Sequence, residues 1–397
     1  MQDTHFMQRA LTLAQATTAL TSPNPQVGCI LTRNNEILGE GAHLYDLRDH
    51  AEIAALKQAA QRGHTVEGAT AYVTLEPCSH QGRTGPCADA LTAAGIARVV
   101  VATVDPNPEV SGKGIAKLRA AGVEVLVGVS EQPARDLNDA FAHFIQTRKP
   151  FVTFKAALSV DGHLAPPPSQ RKPNEPFWLT GPEARQEVQR LRHASDAILT
   201  GIGTVLADDP TLTDRSNLLG PNGEPRRRPL LRVLLDTHLR LPLTSQLVRS
   251  AQNDLLVLCG HTAPPRNIAA LAANGIEVLP IGNGTPDPTG QTANAAHLSL
   301  PSVLKLLADR QILSLLVESG SQLNGAFLTQ RHVDKAVLFY SETELGDAAL
   351  PFATGIASPF LFEQSLRRVT RTTFGPDSRP DACVTGYLRD PWPAPGE

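Results

Sequence analysis

Between Thr74 and Cys87 the chain reads Thr74-Leu75-Glu76-Pro77-Cys78-Ser79-His80-Gln81-Gly82-Arg83-Thr84-Gly85-Pro86-Cys87, and His50-Ala51-Glu52 stands upstream of it. The apolar run Ala71–Leu75 enters this stretch as a strand, and Cys87–Ala94 leaves it as a helix stopped by Gly95. His50-Ala51-Glu52 likewise opens a helix that runs to Arg62 and stops at Gly63. Working outward, apolar spacing predicts a helix over residues 4–20 and a hairpin of Val27–Leu31 with Glu36–Gly41. Strands Val99–Val104 and Val123–Val127 follow, with helices Ile115–Ala121 and Pro133–Gln146. Such alternation predicts an α/β sheet with helices on both faces. Arg148-Lys149-Pro150 reads as a junction, after which the alternation resumes. Strands are predicted near 152–157, 196–200, 231–236, 254–258 and 313–317, and helices at 182–193 and 302–309. Pro166–Pro176 and Ser216–Pro229, the latter carrying Arg226-Arg227-Arg228, read as surface loops.

A length of 397 residues favours two domains, cut at 1–147 and 148–397. Hydrophobic residues at 41% and charged residues at 19% fit a globular enzyme. The net charge of −3 provides no broad basic field, which argues against a long nucleic acid as partner. An odd count of five cysteines in so long a chain argues against a disulfide framework. No apolar run is long enough to span a bilayer and no secretion signal is evident, so no membrane partner and a cytoplasmic location are expected.

Chemistry concentrates on His50, Cys78 and Cys87. One imidazole and two thiolates make a three-ligand zinc site that keeps a fourth position for water. Glu52, a carboxylate beside it, can move the proton. Each residue also has a plainer reading. Asp49 and Glu52 could be a helix capping box, His80 is a rival ligand, and four protein ligands would make the metal structural. The joint pattern of His-x-Glu followed by Pro-Cys and a second cysteine nonetheless resembles that of the zinc deaminases, His-x-Glu then Pro-Cys-x-x-Cys.

Pro23-Asn24-Pro25-Gln26-Val27-Gly28, His50-Ala51-Glu52, the Thr74–Thr84 stretch and Asp105-Pro106-Asn107-Pro108 resemble the bifunctional riboflavin-biosynthesis deaminase/reductase family. Eight residues separate the two cysteines, where cytidine and tRNA-adenosine deaminases usually have two. The resemblance implies a cytidine-deaminase-like three-layer αβα domain followed by a dihydrofolate-reductase-like α/β domain. It implies hydrolysis of the 2-amino group of a diaminopyrimidinone ribosyl phosphate, then reduction of the ribose to ribityl by NADPH. It assigns zinc to His50, Cys78 and Cys87, proton shuttling to Glu52 and the pyrimidine ring to Asn24. A homodimer or higher oligomer is the family's expectation.

Lys155–Gly162, Trp178–Arg185 and Asp196–Pro210 carry the resemblance into the second half. It implies that Leu158, Trp178, Thr204, Asp208, Thr237 and Gly320 meet NADPH, and that Arg192, Leu212, Arg215 and Glu318 meet substrate. On the residues alone, Gly201-x-Gly203 and Glu318-Ser319-Gly320 are either phosphate-cradling turns or merely tight turns. Arg192 is either a phosphate fork or part of a solvated helix face. Asp161 has a positioning or acid role. Three positions depart from the family: Gly85 for proline, Ser319 for glycine and Pro176 for serine. If position 319 needs positive φ, serine costs of order 1 kcal/mol. The last two departures open an alternative, a deaminase with a weakened reductase.

Overall fold

The computed structural model describes residues 2–79, 85–171, 177–282, 297–376 and 378–392. His80 and Pro176 lie outside the described residues. The chain forms two compact units: Met1–Arg148 with Leu218–Arg228 and Pro391–Glu397, and Lys149–Asn217 with Pro229–Asp390.

In the first unit the order is α1 (Gln2–Gln15), β1 (Gly28–Arg33), β2 (Glu36–Ala42), α2 (Ala51–Gln61), β3 (Thr70–Val73), α3 (Cys87–Ala93), β4 (Arg98–Val101), α4 (Lys113–Ala120), β5 (Glu124–Val127), α5 (Glu131–Leu137) and α6 (Asp139–Thr147). The sheet order is β2-β1-β3-β4-β5, with β1 antiparallel to both neighbours and β3, β4 and β5 parallel. Period-two alternation builds the layers. Cys29, Leu31, Ala71, Val73, Val99 and Val101 pack with Ala51, Ala55, Ala88, Leu91 and Leu118 of α2, α3 and α4. Ile30, Tyr72 and Val100 point the other way, onto Phe6, Met7, Ala10 and Leu11 of α1 and Ala134 of α5. Close approach fixes α2: a Cβ at Gly41 would fall 2.2 Å from the Ala51 carbonyl oxygen. The helix predicted over 133–146 is two helices, broken at Asn138. That side chain leaves the helical pattern to bond the backbone N–H and C=O of Gln26, at 2.7 and 2.9 Å.

The second unit runs β6 (Phe151–Leu158), β7 (His163–Ala165), α7 (Pro182–His193), β8 (Ala197–Gly201), α8 (Ile202–Asp208), β9 (Leu231–Leu235), α9 (Gln246–Arg249), β10 (Leu255–Cys259), α10 (Pro265–Ala272), β11 (Glu277–Pro280), α11 (Leu300–Asp309), β12 (Ser314–Val317), α12 (Ser321–Thr329), β13 (Lys335–Tyr340), β14 (Leu350–Pro351), α13 (Pro359–Glu363), β15 (Arg367–Phe374) and β16 (Asp381–Tyr387). Its main sheet is ordered β11-β10-β9-β8-β12-β6-β13-β16-β15. The seven strands from β11 to β13 are parallel; β16 and β15 add an antiparallel edge. One face packs on α11 and α12 through Val303, Leu307 and Phe327, the other on α8, α9 and α10 through Val205, Leu247 and Leu271. Helices on both faces leave the carboxyl ends of the parallel strands as the open edge, where α/β sheets bind ligands.

Candidate active sites

In the first unit two helix starts face one strand end. His50 is the residue before α2, and Cys87 begins α3 directly after Pro86. Cys78 follows β3 on a strap held from below by Glu76. That buried carboxylate accepts backbone N–H bonds from Asp105, Gly112, Gly114 and Ile115 at 2.8–3.2 Å. His50 Nδ1 lies 3.5 Å from Cys78 Sγ and 3.3 Å from Cys87 Sγ, and the three donor atoms all lie within 4.8 Å of one another. Zinc bonds of ~2.3 Å to sulfur and ~2.0 Å to nitrogen, meeting at a tetrahedral angle, put those atoms roughly 3.5 Å apart. The donor set and its spacing therefore fit zinc. Cys78 is held well below the ordinary thiol range, first by the hydrogen bond from the Cys87 thiol and then, against burial, by His50. A thiolate is the form that ligates metal.

Glu52 lies in the first turn of α2 and is buried. Burial pushes its carboxyl up to about 7, near the working pH where proton transfer in both directions is efficient. The capping-box alternative does not form: the residue at the cap position is His50, and the Asp49 carboxylate pairs with Lys57 at 2.6 Å. Asn24 sits in the loop before β1 and donates to His43 Nε2 at 3.0 Å. His43 Nδ1 donates to the Asp49 carbonyl at 2.8 Å, which leaves Nε2 as acceptor. The His43 ring meets that of His50 edge-on at 5.6 Å.

In the second unit the expected cofactor residues stand beyond adjacent strand ends. Leu158 ends β6, Thr204 and Asp208 belong to α8 after β8, Thr237 follows β9 and Gly320 follows β12. A Cβ at Gly320 would lie 3.8 Å from the Thr204 hydroxyl, and nothing stands within 4 Å of one at Gly203. An open edge lined by glycine backbone and helix starts fits a dinucleotide. The Leu158 side chain is fully buried in the core, so only its backbone can face a ligand. Trp178 is exposed, with the Arg185 guanidinium 5.0 Å from its ring centre.

Arg192 on α7 is buried and forks onto Glu318: Nε to Oε1 at 2.8 Å and Nη2 to Oε2 at 3.1 Å. The solvated-face alternative for Arg192 therefore fails. Lys155 Nζ lies 3.6 Å from Glu318 Oε2. Burial alone would raise Glu318, but Arg192 and then Lys155 outweigh it and hold it down to about 2. Burial lowers Lys155. Leu212 sits nearby in the sequence with a left-handed φ of 55°, and Arg215 is exposed. Partial desolvation of its guanidinium and then the charge of Arg192 lower Arg215, against the opposing pull of Glu318.

Residues 1–103 match the family model described as the cytidine and deoxycytidylate deaminase zinc-binding region, and residues 150–377 match the RibD C-terminal domain. The riboflavin biosynthesis protein RibD of Aquifex aeolicus is 37% identical over 92% of this chain and 93% of its own. The chain belongs to the RibD family. The Escherichia coli member is 38% identical over 89% of this chain and 91% of its own. Acinetobacter baumannii RibD superposes with a TM-score of 0.77 at 35% identity, covering 97% of this chain and 99% of that one. The Thermotoga maritima deaminase/reductase gives 0.77 at 30%, with the same coverage. Like other RibD proteins, this chain is a bifunctional enzyme of riboflavin biosynthesis, with a cytidine-deaminase-like half, a dihydrofolate-reductase-like half, and zinc and NADPH as cofactors.

Three residues that position these RibD sites escaped the sequence reading. His43 is a single histidine outside any motif, and Glu76 carries no signal apart from its place in the Thr-Leu-Glu-Pro-Cys run. Lys155 could have been found, because it alternates with the buried positions of β6 and so had to point toward a sheet face. Of the positioning or acid role expected of Asp161, the contacts present are positioning ones: it accepts from Leu345 and Gly346 N–H and clasps a loop. Ser319 is not in the left-handed region, so the condition under which serine would be strained there is not met. Its hydroxyl donates to Asn324 Oδ1 at 2.6 Å.

Proposed function

We propose that the domain assigned to 1–147 hydrolyses the 2-amino group of 2,5-diamino-6-ribosylamino-4(3H)-pyrimidinone 5′-phosphate. The domain assigned to 148–397 then reduces the ribose of 5-amino-6-(5-phosphoribosylamino)uracil. The observation that carries this reading is the His50, Cys78, Cys87 donor triangle with buried Glu52 in hydrogen-bond contact with the Cys87 thiol. Zinc held by those three residues would supply a nucleophile from water at neutral pH, and NADPH would supply hydride to the sugar. Asn24, oriented by His43, holds the pyrimidine ring. Glu52, with its proton affinity raised by burial, accepts a proton as attack begins and returns it to the departing ammonia. In the reductase, Leu158, Trp178, Thr204, Asp208, Thr237 and Gly320 bind NADPH. Arg192, Leu212, Arg215 and Glu318 contact the substrate, with Lys155 beside the Arg192–Glu318 pair. Arginine forks suit phosphate oxygens. We further assign a small-molecule substrate without nucleic-acid or membrane partners, a homodimer or higher oligomer, and the cytoplasm. Among the described residues no helix is long and apolar enough to cross a membrane.

The test separates the halves. Chelation of the metal abolishes ammonia release while NADPH oxidation with the deaminated substrate continues. Deamination that persists in metal-free protein would defeat the reading.

A further inference from the structure

The triple-arginine loop noted in the sequence is not accounted for by either reaction. Leu218–Arg228 lies between two stretches that build the second unit, yet it belongs to the first. A turn closes at its start, with Gly223 N–H on the Gly220 carbonyl and Gly220 N–H on the Glu224 carbonyl. Gly220 allows close seating there: a Cβ would meet the Leu20 side chain at 2.3 Å. Arg227 then makes four attachments. Its backbone N–H donates to the Ala19 carbonyl at 3.0 Å, and Nη1 donates to the Ser22 carbonyl at 2.8 Å. Nε donates to Asp46 Oδ1 at 2.9 Å, and the guanidinium stacks on Tyr45 with its carbon 3.7 Å from the ring centre.

These partners are the two loops that carry Asn24 and His43. Ser22 stands two residues before Asn24, and Tyr45 two after His43. Tyr45 N–H on the Leu20 carbonyl ties the loops to each other, at 3.2 Å. The Asp46 carboxylate is 73% exposed, so that ion pair contributes little. The Arg227 side chain is only 16% exposed, so the weight falls on the Ser22 carbonyl bond and the Tyr45 stack.

We propose that Arg227 is a positioning residue of the deaminase, holding the Ser22–Asn24 loop so that Asn24 meets the pyrimidine ring from its place beside His43. The proposal rests on the reading of Asn24 as the ring-holding residue. It acts on substrate binding and leaves the metal donors alone, because none of the four attachments reaches His50, Cys78 or Cys87.

The test is a double-mutant cycle in the full chain, with Arg227→Ala, Asn24→Ala and both together, and with Arg227→Lys as the conservative variant. Ammonia release gives KM and kcat; zinc content and NADPH oxidation with the deaminated substrate serve as controls. Arg227→Ala is expected to raise KM about tenfold with kcat changed less, as loss of ground-state positioning does. Zinc content and reductase rate stay at wild-type values, Arg227→Lys recovers part of the loss, and in the Asn24→Ala background Arg227→Ala adds little. An unchanged KM, or a loss of the same size with and without Asn24, overturns the proposal while leaving the ring-holding reading intact. If Asn24→Ala alone leaves KM unchanged, that reading falls first and the proposal with it. Should Arg227→Ala fail to fold, the cycle is run with Arg227→Lys, under the same criteria.

Discussion

The two sites are built on opposite plans. The deaminase donors all fall between His50 and Cys87, on two helix starts and one strand exit, with the strap of Cys78 braced through Glu76 on backbone from Asp105 to Ile115. The reductase residues run from Lys155 to Gly320 and meet only because β9, β8, β12 and β6 are neighbours in the sheet. A local site can be assembled by a short stretch of chain. A strand-end site exists only once the whole sheet has formed. The electrostatics differ in the same sense. The first site keeps a carboxyl raised to about 7 for moving protons. The second holds a carboxylate down to about 2 between two buried cations, an arrangement for holding charge in place.

Glu52→Gln tests the first half of that contrast most severely. The amide matches the carboxyl in size but cannot shuttle a proton, so kcat for ammonia release should fall by roughly 10²–10⁴. Zinc content and NADPH oxidation should stay at wild-type levels. A variant retaining a tenth or more of the wild-type rate would mean that another group carries the proton.

Glu318→Ala tests the second half. Removing one member of a buried ion pair leaves Arg192 and Lys155 uncompensated, which costs about 3–5 kcal/mol. Reductase activity should be lost and the unfolding midpoint lowered, while ammonia release is retained below that midpoint. Because its pKa in the folded state is depressed, Glu318 contributes stability that is fully present above the ordinary glutamate range near 4.5. That contribution is lost as pH falls through about 2. The stability gap between wild type and Glu318→Gln should therefore be constant from pH 7 to 5 and narrow below. A gap that widens on acidification would contradict the pairing.

The same contrast explains what the sequence made legible. His50, Glu52, Cys78 and Cys87 could be read because helix starts and proline–cysteine pairs are local signals, and the structure brings the three donors together with Glu52 against the Cys87 thiol. Strand and helix alternation gave the layers of both units, since burial on alternating faces leaves a period of two in strands such as β1 and β4. Thr237 could be placed only through the family resemblance, and the residues alone left Gly320 as either a phosphate-cradling or a merely tight turn, because strand order is set by long-range pairing that no short window contains. The partnership of Arg192 with Glu318 spans 126 residues and left no pattern in either segment. The break at Asn138 was missed for a related reason: helical spacing continues through it, and its partner Gln26 is 112 residues away.

Ser319 gives the smallest expected effect and bears on whether the reductase is impaired. A glycine preference at this position has two physical sources, a left-handed backbone or a close approach. Ser319 shows no left-handed φ, so the first does not apply. Its hydroxyl instead donates to Asn324, whose amide in turn donates to the Phe352 carbonyl at 3.0 Å. Ser319→Gly therefore removes one hydrogen bond and adds backbone freedom, each costing about 0.5–1 kcal/mol. A drop in the unfolding midpoint of a few degrees is expected, with kcat/KM for NADPH oxidation changed less than threefold. If glycine instead raised both stability and turnover, the serine would be a strained or obstructing residue, and the weakened-reductase alternative would regain its footing.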